Sequence, residues 1–243
     1  MSRLFEELDY CPTEIGVLTL RRRREMRLGK DIFEIKLGDE HLMSDLFTVS
    51  EVALADLGLG AVEGGGLRVV VGGLGMGYTA LAALKDARVS ELLVVEFLAP
   101  VIEWHRRGIL PVGDALATDD RVRLVQGDFF ALAAGGEGFD PDAPGALFDA
   151  VLLDIDHSPE MLLDGRSRSF YEPEGLRALA AHLRAGGVFA LWSNERPSDA
   201  FTEVLRGVFA DAWAERVVFE NPYDQSEIVQ TVYLARTGVA AQG

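Results

Sequence analysis

The sequence predicts an α/β fold, a mostly parallel sheet with helices on both faces, and three observations predict it. The first is the stretch Val69-Val70-Val71-Gly72-Gly73-Leu74-Gly75-Met76-Gly77-Tyr78, followed by Thr79-Ala80-Leu81-Ala82-Ala83-Leu84. An apolar, β-branched run reads as a strand buried on both faces, and here it ends in glycines and then in good helix formers. The second is the recurrence of strand-like runs, at 91–96, 122–126, 148–159 with a polar tip, and 188–193, with helical patterns between them. The third is size. At 243 residues, 49% of them hydrophobic, the chain suffices for one large domain with room for a small appendage.

The glycine stretch also carries the first functional signal. Glycine lets the backbone approach a ligand closely and adopt φ > 0, and the N–H groups of a following helix face polar or anionic ligand atoms. A dinucleotide fingerprint needs G-x-G-x-x-G, its last glycine packing helix on strand. Here the glycines fall at Gly73, Gly75 and Gly77, and Tyr78 stands where the third would be needed. That spacing suits a nucleoside-sulfonium cofactor, which brings no pyrophosphate. Taken alone it also reads as a glycine-rich turn with no ligand.

Composition excludes several classes. No apolar run approaches the ~18 residues of a membrane span, and residues 1–7 lack the basic-then-apolar pattern of a signal peptide. The single cysteine, Cys11, makes neither an internal disulfide nor a metal cluster, and no metal is expected. A soluble, cytoplasmic protein follows. The net charge of −16 argues against nucleic acid and suits cationic substrates, although acidity also serves solubility alone. Arg21-Arg22-Arg23-Arg24 is the one basic run, read as a solvated or subunit-contact strand whose side chains alternate between faces.

In chain order, residues 12–43 read as a small β unit, with strands at 15–20 and 31–37 and a Gly38-Asp39 turn into 41–43. Ser44-Asp45 is expected to cap a helix from Leu46 to about Leu57. Glu96 ends the second strand about 20 residues past the glycine loop, where a ribose-binding acid belongs in such folds. A helix follows over 100–107, with His105 read as surface. Asp128, just past the third strand, can accept from an adenine amino group, with Phe129 and Phe130 against the base; the alternative is a helix-capping aspartate. The fourth strand ends in Asp154-Ile155-Asp156-His157. If the strand persists, Asp154 and Asp156 share a face. Residues 161–170 read either as a lid or as a plain connection. Strand five at 188–193 precedes a helix capped by Ser198, and 213–219 and 229–235 read as a terminal antiparallel pair.

These residues resemble the polyamine aminopropyltransferases, the spermidine synthase family, over about residues 15–193. The likeness is carried by Gly72-Gly73-Leu74-Gly75-Met76-Gly77, Val94-Val95-Glu96 with Val101-Ile102, Gly127-Asp128, Phe148-Asp149-Ala150-Val151-Leu152-Leu153-Asp154, Phe170-Tyr171 and Gly186-Gly187-Val188-Phe189, with Asp45, Phe47 and Glu51 further upstream. It implies a Rossmann-like class I SAM-methyltransferase fold: a mostly parallel seven-stranded sheet with helices on both faces and a small N-terminal β-hairpin layer. Residues 1–57 would form that layer and the leading helix, and residues 58–243 the nucleoside-binding domain. By the resemblance Glu96 holds the ribose, Asp128 the adenine, and Asp154 is the catalytic base, with Gly73, Gly75 and Gly77 against the cofactor. Asp156, His157 and Tyr171 are the substrate-binding candidates. The family implies decarboxylated S-adenosylmethionine as cofactor, no metal, a small cationic amine substrate such as putrescine, methylthioadenosine as product, and a homodimer.

The chain departs from the family at the polyamine half of the site. The family's glycine loop carries an aspartate for the aminopropyl ammonium where this chain has Gly75. Its D-x-x-D spacing meets His157 here, with Asp156 one residue early. Its tyrosine and histidine before Glu51 are Val49 and Ser50. Three readings therefore stand: an aminopropyltransferase, an S-adenosylmethionine-dependent methyltransferase of unknown acceptor, and a non-catalytic nucleoside-binding relative.

Overall fold

A computed structural model of the chain describes residues 4–163 and 165–239. Met1, Ser2 and Arg3, which enter the reading of the N-terminus, lie outside the described residues, as do Asp164 of the 161–170 segment and the last four residues.

The N-terminal layer is a four-stranded antiparallel sheet in the order β1 (Phe5–Thr13), β2 (Gly16–Glu25), β3 (Lys30–Leu37), β4 (Glu40–Ser44). The expected strands at 15–20 and 31–37 are β2 and β3, and Gly38, at φ +58°, turns into β4. The arginine run lies on β2 and is tied within this sheet: Arg22 to Glu6 at 2.6 Å, Arg23 to Glu25 and Glu34 at 2.7 and 2.8 Å, Arg24 to Asp31 at 3.2 Å.

Helix α1 (Val49–Gly60) follows, and its start corrects the expected Ser44-Asp45 cap. Ser44 pairs with Glu34 in the sheet, and Asp45 Oδ1 accepts the Phe33 N–H at 2.9 Å. The side chain that would have capped the helix is spent closing β3, so the helix begins at Val49 with no side-chain cap.

The main sheet is built from β5 (Leu67–Gly72), α2 (Tyr78–Leu84), β6 (Val89–Glu96), α3 (Ala99–Arg106), α4 (Ala115–Thr118), β7 (Val122–Gln126), α5 (Phe129–Ala134), β8 (Phe148–Leu153), a 3₁₀ segment (Gly165–Tyr171), α6 (Pro173–Ala180), β9 (Leu183–Ser193), α7 (Asp199–Arg206), β10 (Asp211–Glu220) and β11 (Glu227–Arg236). Its seven strands run in the order β10-β11-β9-β8-β5-β6-β7. Neighbours from β9 to β7 are parallel, whereas β11 pairs antiparallel with both β9 and β10. This is the expected seven-stranded, mostly parallel α/β sheet with a separate N-terminal β layer.

Val69, Val70 and Val71 are all fully buried, each stabilising the fold by roughly 1.5–3 kcal/mol on burial. Val69 and Val71 join the apolar cluster that includes α1, α2 and the N-terminal sheet, and Val70 joins the aromatic cluster on the other face. The strand is thus sandwiched, as an all-apolar parallel strand must be.

Register then decides where the polar tips go. Gly72 pairs with Val95 on one side and Leu153 on the other, and Glu96 pairs with Gln126. The residues within two positions beyond these pairs include Gly73, Asp154, Gly127 and Asp128. Chain order reverses between β5 and β8, and a crevice opens at the carboxyl ends of the strands at such a switch.

Candidate active site

A cavity of about 1430 Å³ occupies that crevice, lined by the glycine loop, the tips of β6, β7 and β8, β4, α1 and the 3₁₀ segment. Ligand pockets commonly measure ~300–1,000 Å³, so this one has room for a nucleoside and a second small molecule. Eight carboxylates line it (Glu40, Glu51, Glu96, Asp128, Asp154, Asp156, Glu172, Glu174) against one arginine, Arg166, among the described residues. Such a wall concentrates cations and repels anions.

The glycine loop is shaped by what lies behind it. Gly73 has φ +92°, and a Cβ there would collide with the backbone carbonyl of Asp154. Gly75 has φ +47°, and a Cβ there would stand 2.5 Å from Met43 Sδ. Both line the cavity; Gly77, which precedes α2 in the left-handed region, does not.

Glu96 is buried and doubly held: Oε2 accepts the Leu74 N–H at 3.0 Å and Oε1 accepts the Leu98 N–H at 2.8 Å. Burial raises its pKa against these lowering bonds. The Gly75 and Phe97 N–H groups also favour its charged form. Asp128 caps α5, its Oδ1 accepting from Phe130 and Ala131 at 2.9 and 3.3 Å. The capping alternative is therefore what this side chain does, and Oδ2 is left over as an acceptor on the cavity wall. Phe129 packs on Phe139, with ring centroids 5.0 Å apart, and Phe130 edge-on to Phe170 at 5.2 Å; both also line the cavity.

Asp154 and Asp156 do not share a strand face, because β8 ends at Leu153. The Asp154 N–H donates to Gly72 O at 2.8 Å, and its Oδ2 accepts the Thr79 hydroxyl at 2.6 Å. Burial lifts the pKa of Asp154, and burial plus the Asp154 charge lifts that of Glu51, whose Oε2 accepts the Ser50 hydroxyl at 2.9 Å. Both carboxyl groups therefore keep a proton to higher pH than an ordinary carboxylate does, Asp154 through burial and Glu51 through burial with the Asp154 charge beside it.

Asp156 instead anchors the chain that follows. It is 1% exposed and accepts Leu163 N–H at 2.7 Å, Ser167 Oγ at 3.1 Å and Tyr171 Oη at 2.8 Å. Tyr171 is buried behind it and does not line the cavity. His157 lines the cavity with its Nε2 3.5 Å from Glu40 Oε1.

His105, read from sequence as surface, is fully buried. It lies on α3 beside Trp104, whose Nε1 donates to Asp9 Oδ2 at 2.8 Å; His105 Nε2 meets Gly75 O at 3.0 Å. Sequence reasoning also missed Thr79 and Met43. A hydroxyl at the head of the otherwise apolar run 79–84 was the signal for Thr79; nothing local marked Met43.

The sequence matches no family model. Among solved structures, the spermidine synthase from Thermotoga maritima superposes with a TM-score of 0.72 at 15% identity, over 96% of this chain and 74% of that one. A spermidine synthase in complex with the transition-state analogue AdoDATO gives 0.70 at 16% identity, over 96% and 73%. At these identities the likeness is one of architecture, and this chain has the spermidine synthase-like fold.

Proposed function

We propose that this protein is a transferase that moves an aminopropyl group from decarboxylated S-adenosylmethionine to a small cationic amine such as putrescine, releasing methylthioadenosine. The observation that carries this reading is Asp154: a buried carboxylate at the tip of β8, oriented by Thr79, in the same carboxylate-lined cavity as Glu96. Glu96 would take the ribose hydroxyls, Asp128 Oδ2 the adenine amino group, and Gly73 and Gly75 would let the loop close on the nucleoside.

When bound, the sulfonium supplies an electrophilic methylene and a thioether that leaves without needing an acid. The chain's own task is to deliver a neutral amine. An amine is mostly protonated near neutral pH, and Asp154 takes that proton, a role typically contributing ~10²–10⁴-fold. Asp156 positions the 163–171 segment over the site, while Glu40, Glu51 and His157 face the acceptor's far end. A homodimer belongs to the same reading and is checked by light scattering.

One observation favours a second reading. Gly75 leaves the loop without the carboxylate that would repel a methionine carboxylate, so methyl transfer from S-adenosylmethionine is the runner-up. Mass spectrometry of nucleoside products decides, offering both cofactors with a panel of amines. Methylthioadenosine that depends on amine and is lost in Asp154→Asn supports aminopropyl transfer. S-adenosylhomocysteine moves the protein to methyl transfer, and nucleoside binding with neither product removes the catalytic role of Asp154.

A further inference from the structure

The peptide unit joining Gly75 to Met76 is held at both edges. Its carbonyl oxygen, Gly75 O, lies 3.0 Å from His105 Nε2; its N–H, that of Met76, donates to Met43 Sδ at 3.1 Å. A carbonyl only accepts, so His105 donates from Nε2, and its Nδ1 is left buried without a partner among the described residues. Met43 comes from β4, in the other sheet, and fills the space a side chain at position 75 would take. Both Gly75 and Met43 line the cavity.

We propose that Met43 determines cofactor-tail specificity and that His105 is a positioning residue: together they fix the Gly75–Met76 peptide so that its N–H is withheld from a ligand carboxylate. A backbone N–H at a glycine loop is a natural carboxylate donor. A thioether is a weak acceptor, strong enough to occupy that N–H but not to reward an anion. With Glu51 and Asp154 lining the same cavity, a carboxylate-bearing tail meets repulsion and no compensating donor, whereas a tail without one loses nothing. The inference rests on the reading of the cavity as a sulfonium-nucleoside site.

Binding calorimetry with methylthioadenosine and with S-adenosylhomocysteine, which carries the amino-acid tail, tests it on four proteins. Met43→Leu keeps the volume and frees the N–H, and should shift the ratio of the two Kd values roughly tenfold toward S-adenosylhomocysteine, the worth of one charge-assisted hydrogen bond. Met43→Gln, whose amide oxygen accepts the same N–H, should keep the wild-type ratio. His105→Phe should weaken both ligands alike. Amide exchange at Met76 in the unliganded protein should be slow in the wild type and faster in Met43→Leu. An unchanged ratio in Met43→Leu, or an equal shift in Met43→Gln, overturns the specificity role. Unprotected Met76 in the wild type overturns the clamp itself. Failure of the wild type to bind either nucleoside, with Met76 protected, removes the nucleoside reading and the specificity role with it.

Discussion

Thr79 Oγ1 donates to Asp154 Oδ2 at 2.6 Å, across the junction between the first turn of α2 and the tip of β8. The same strand–loop–helix unit that would cradle a nucleoside therefore also aims the carboxylate proposed as base. This bond stabilises the ionised form and lowers the Asp154 pKa against the burial that raises it. Thr79→Val removes the hydroxyl at nearly constant volume. The pKa of Asp154 should rise further, and the acidic limb of the kcat/KM–pH profile should move to higher pH with nucleoside affinity unchanged. An unshifted limb would separate Asp154 from the rate-determining protonation.

The Glu51–Asp154 pair should also shape stability. Both folded-state pKa values are raised, so between the usual carboxylate range and the raised values the folded protein binds more protons than the unfolded chain. Stability from this pair is fully present at low pH and is lost as pH rises through the folded values. Glu51→Gln removes one of the two like charges. Melting temperatures should fall with rising pH in the wild type and fall less in Glu51→Gln, a comparison made by calorimetry across the neutral range. Parallel curves for the two proteins would show that Glu51 does not titrate with a raised pKa in the folded protein.

Much of this was legible in the chain. β5, β6, β8 and β9 announce themselves because strands buried on both faces leave continuous apolar runs, and the glycine spacing marks the loop between β5 and α2. Register then brings Glu96, Asp128 and Asp154 to one edge with no further information. β1 was not legible: it pairs only with β2, alternates exposed and half-buried positions, and reads Phe5-Glu6-Glu7-Leu8-Asp9. Side-chain direction on crossing elements was not legible either. Trp104 and His105 are neighbours on α3, yet one bonds the N-terminal sheet and the other the glycine loop. Asp156 carries the same letter as Asp154, but only the end of β8 at Leu153 makes it an anchor.

As an anchor, Asp156 satisfies three donors: the Leu163 amide and the Ser167 and Tyr171 hydroxyls. Asp156→Ala leaves them without that partner, and a buried donor left unsatisfied costs about 1–3 kcal/mol. Much of that cost should fall locally on the segment from 157 to 171 rather than on the sheet. Limited proteolysis should cut there faster in the variant. Cleavage confined to other loops would mean that the segment is held by its apolar contacts alone.

Glu96 carries the sharpest test of the nucleoside half of the site. Both its oxygens already accept backbone N–H groups, one from Leu74 in the glycine loop and one from Leu98 at the entry to α3. Glu96→Gln keeps the shape but turns one acceptor into an NH₂ that faces a backbone N–H, donor against donor. It also removes the charge that would strengthen bonds from ribose hydroxyls. Two charge-assisted hydrogen bonds at ~1.5–3 kcal/mol each set the upper scale of the loss. Methylthioadenosine affinity should fall at least roughly tenfold, where each 1.4 kcal/mol is tenfold, and Asp154→Asn should leave it intact. Because burial opposes the charge on Glu96, the unliganded variant should melt within a few degrees of the wild type. Unchanged affinity in Glu96→Gln, measured by calorimetry, would remove Glu96 from the ribose.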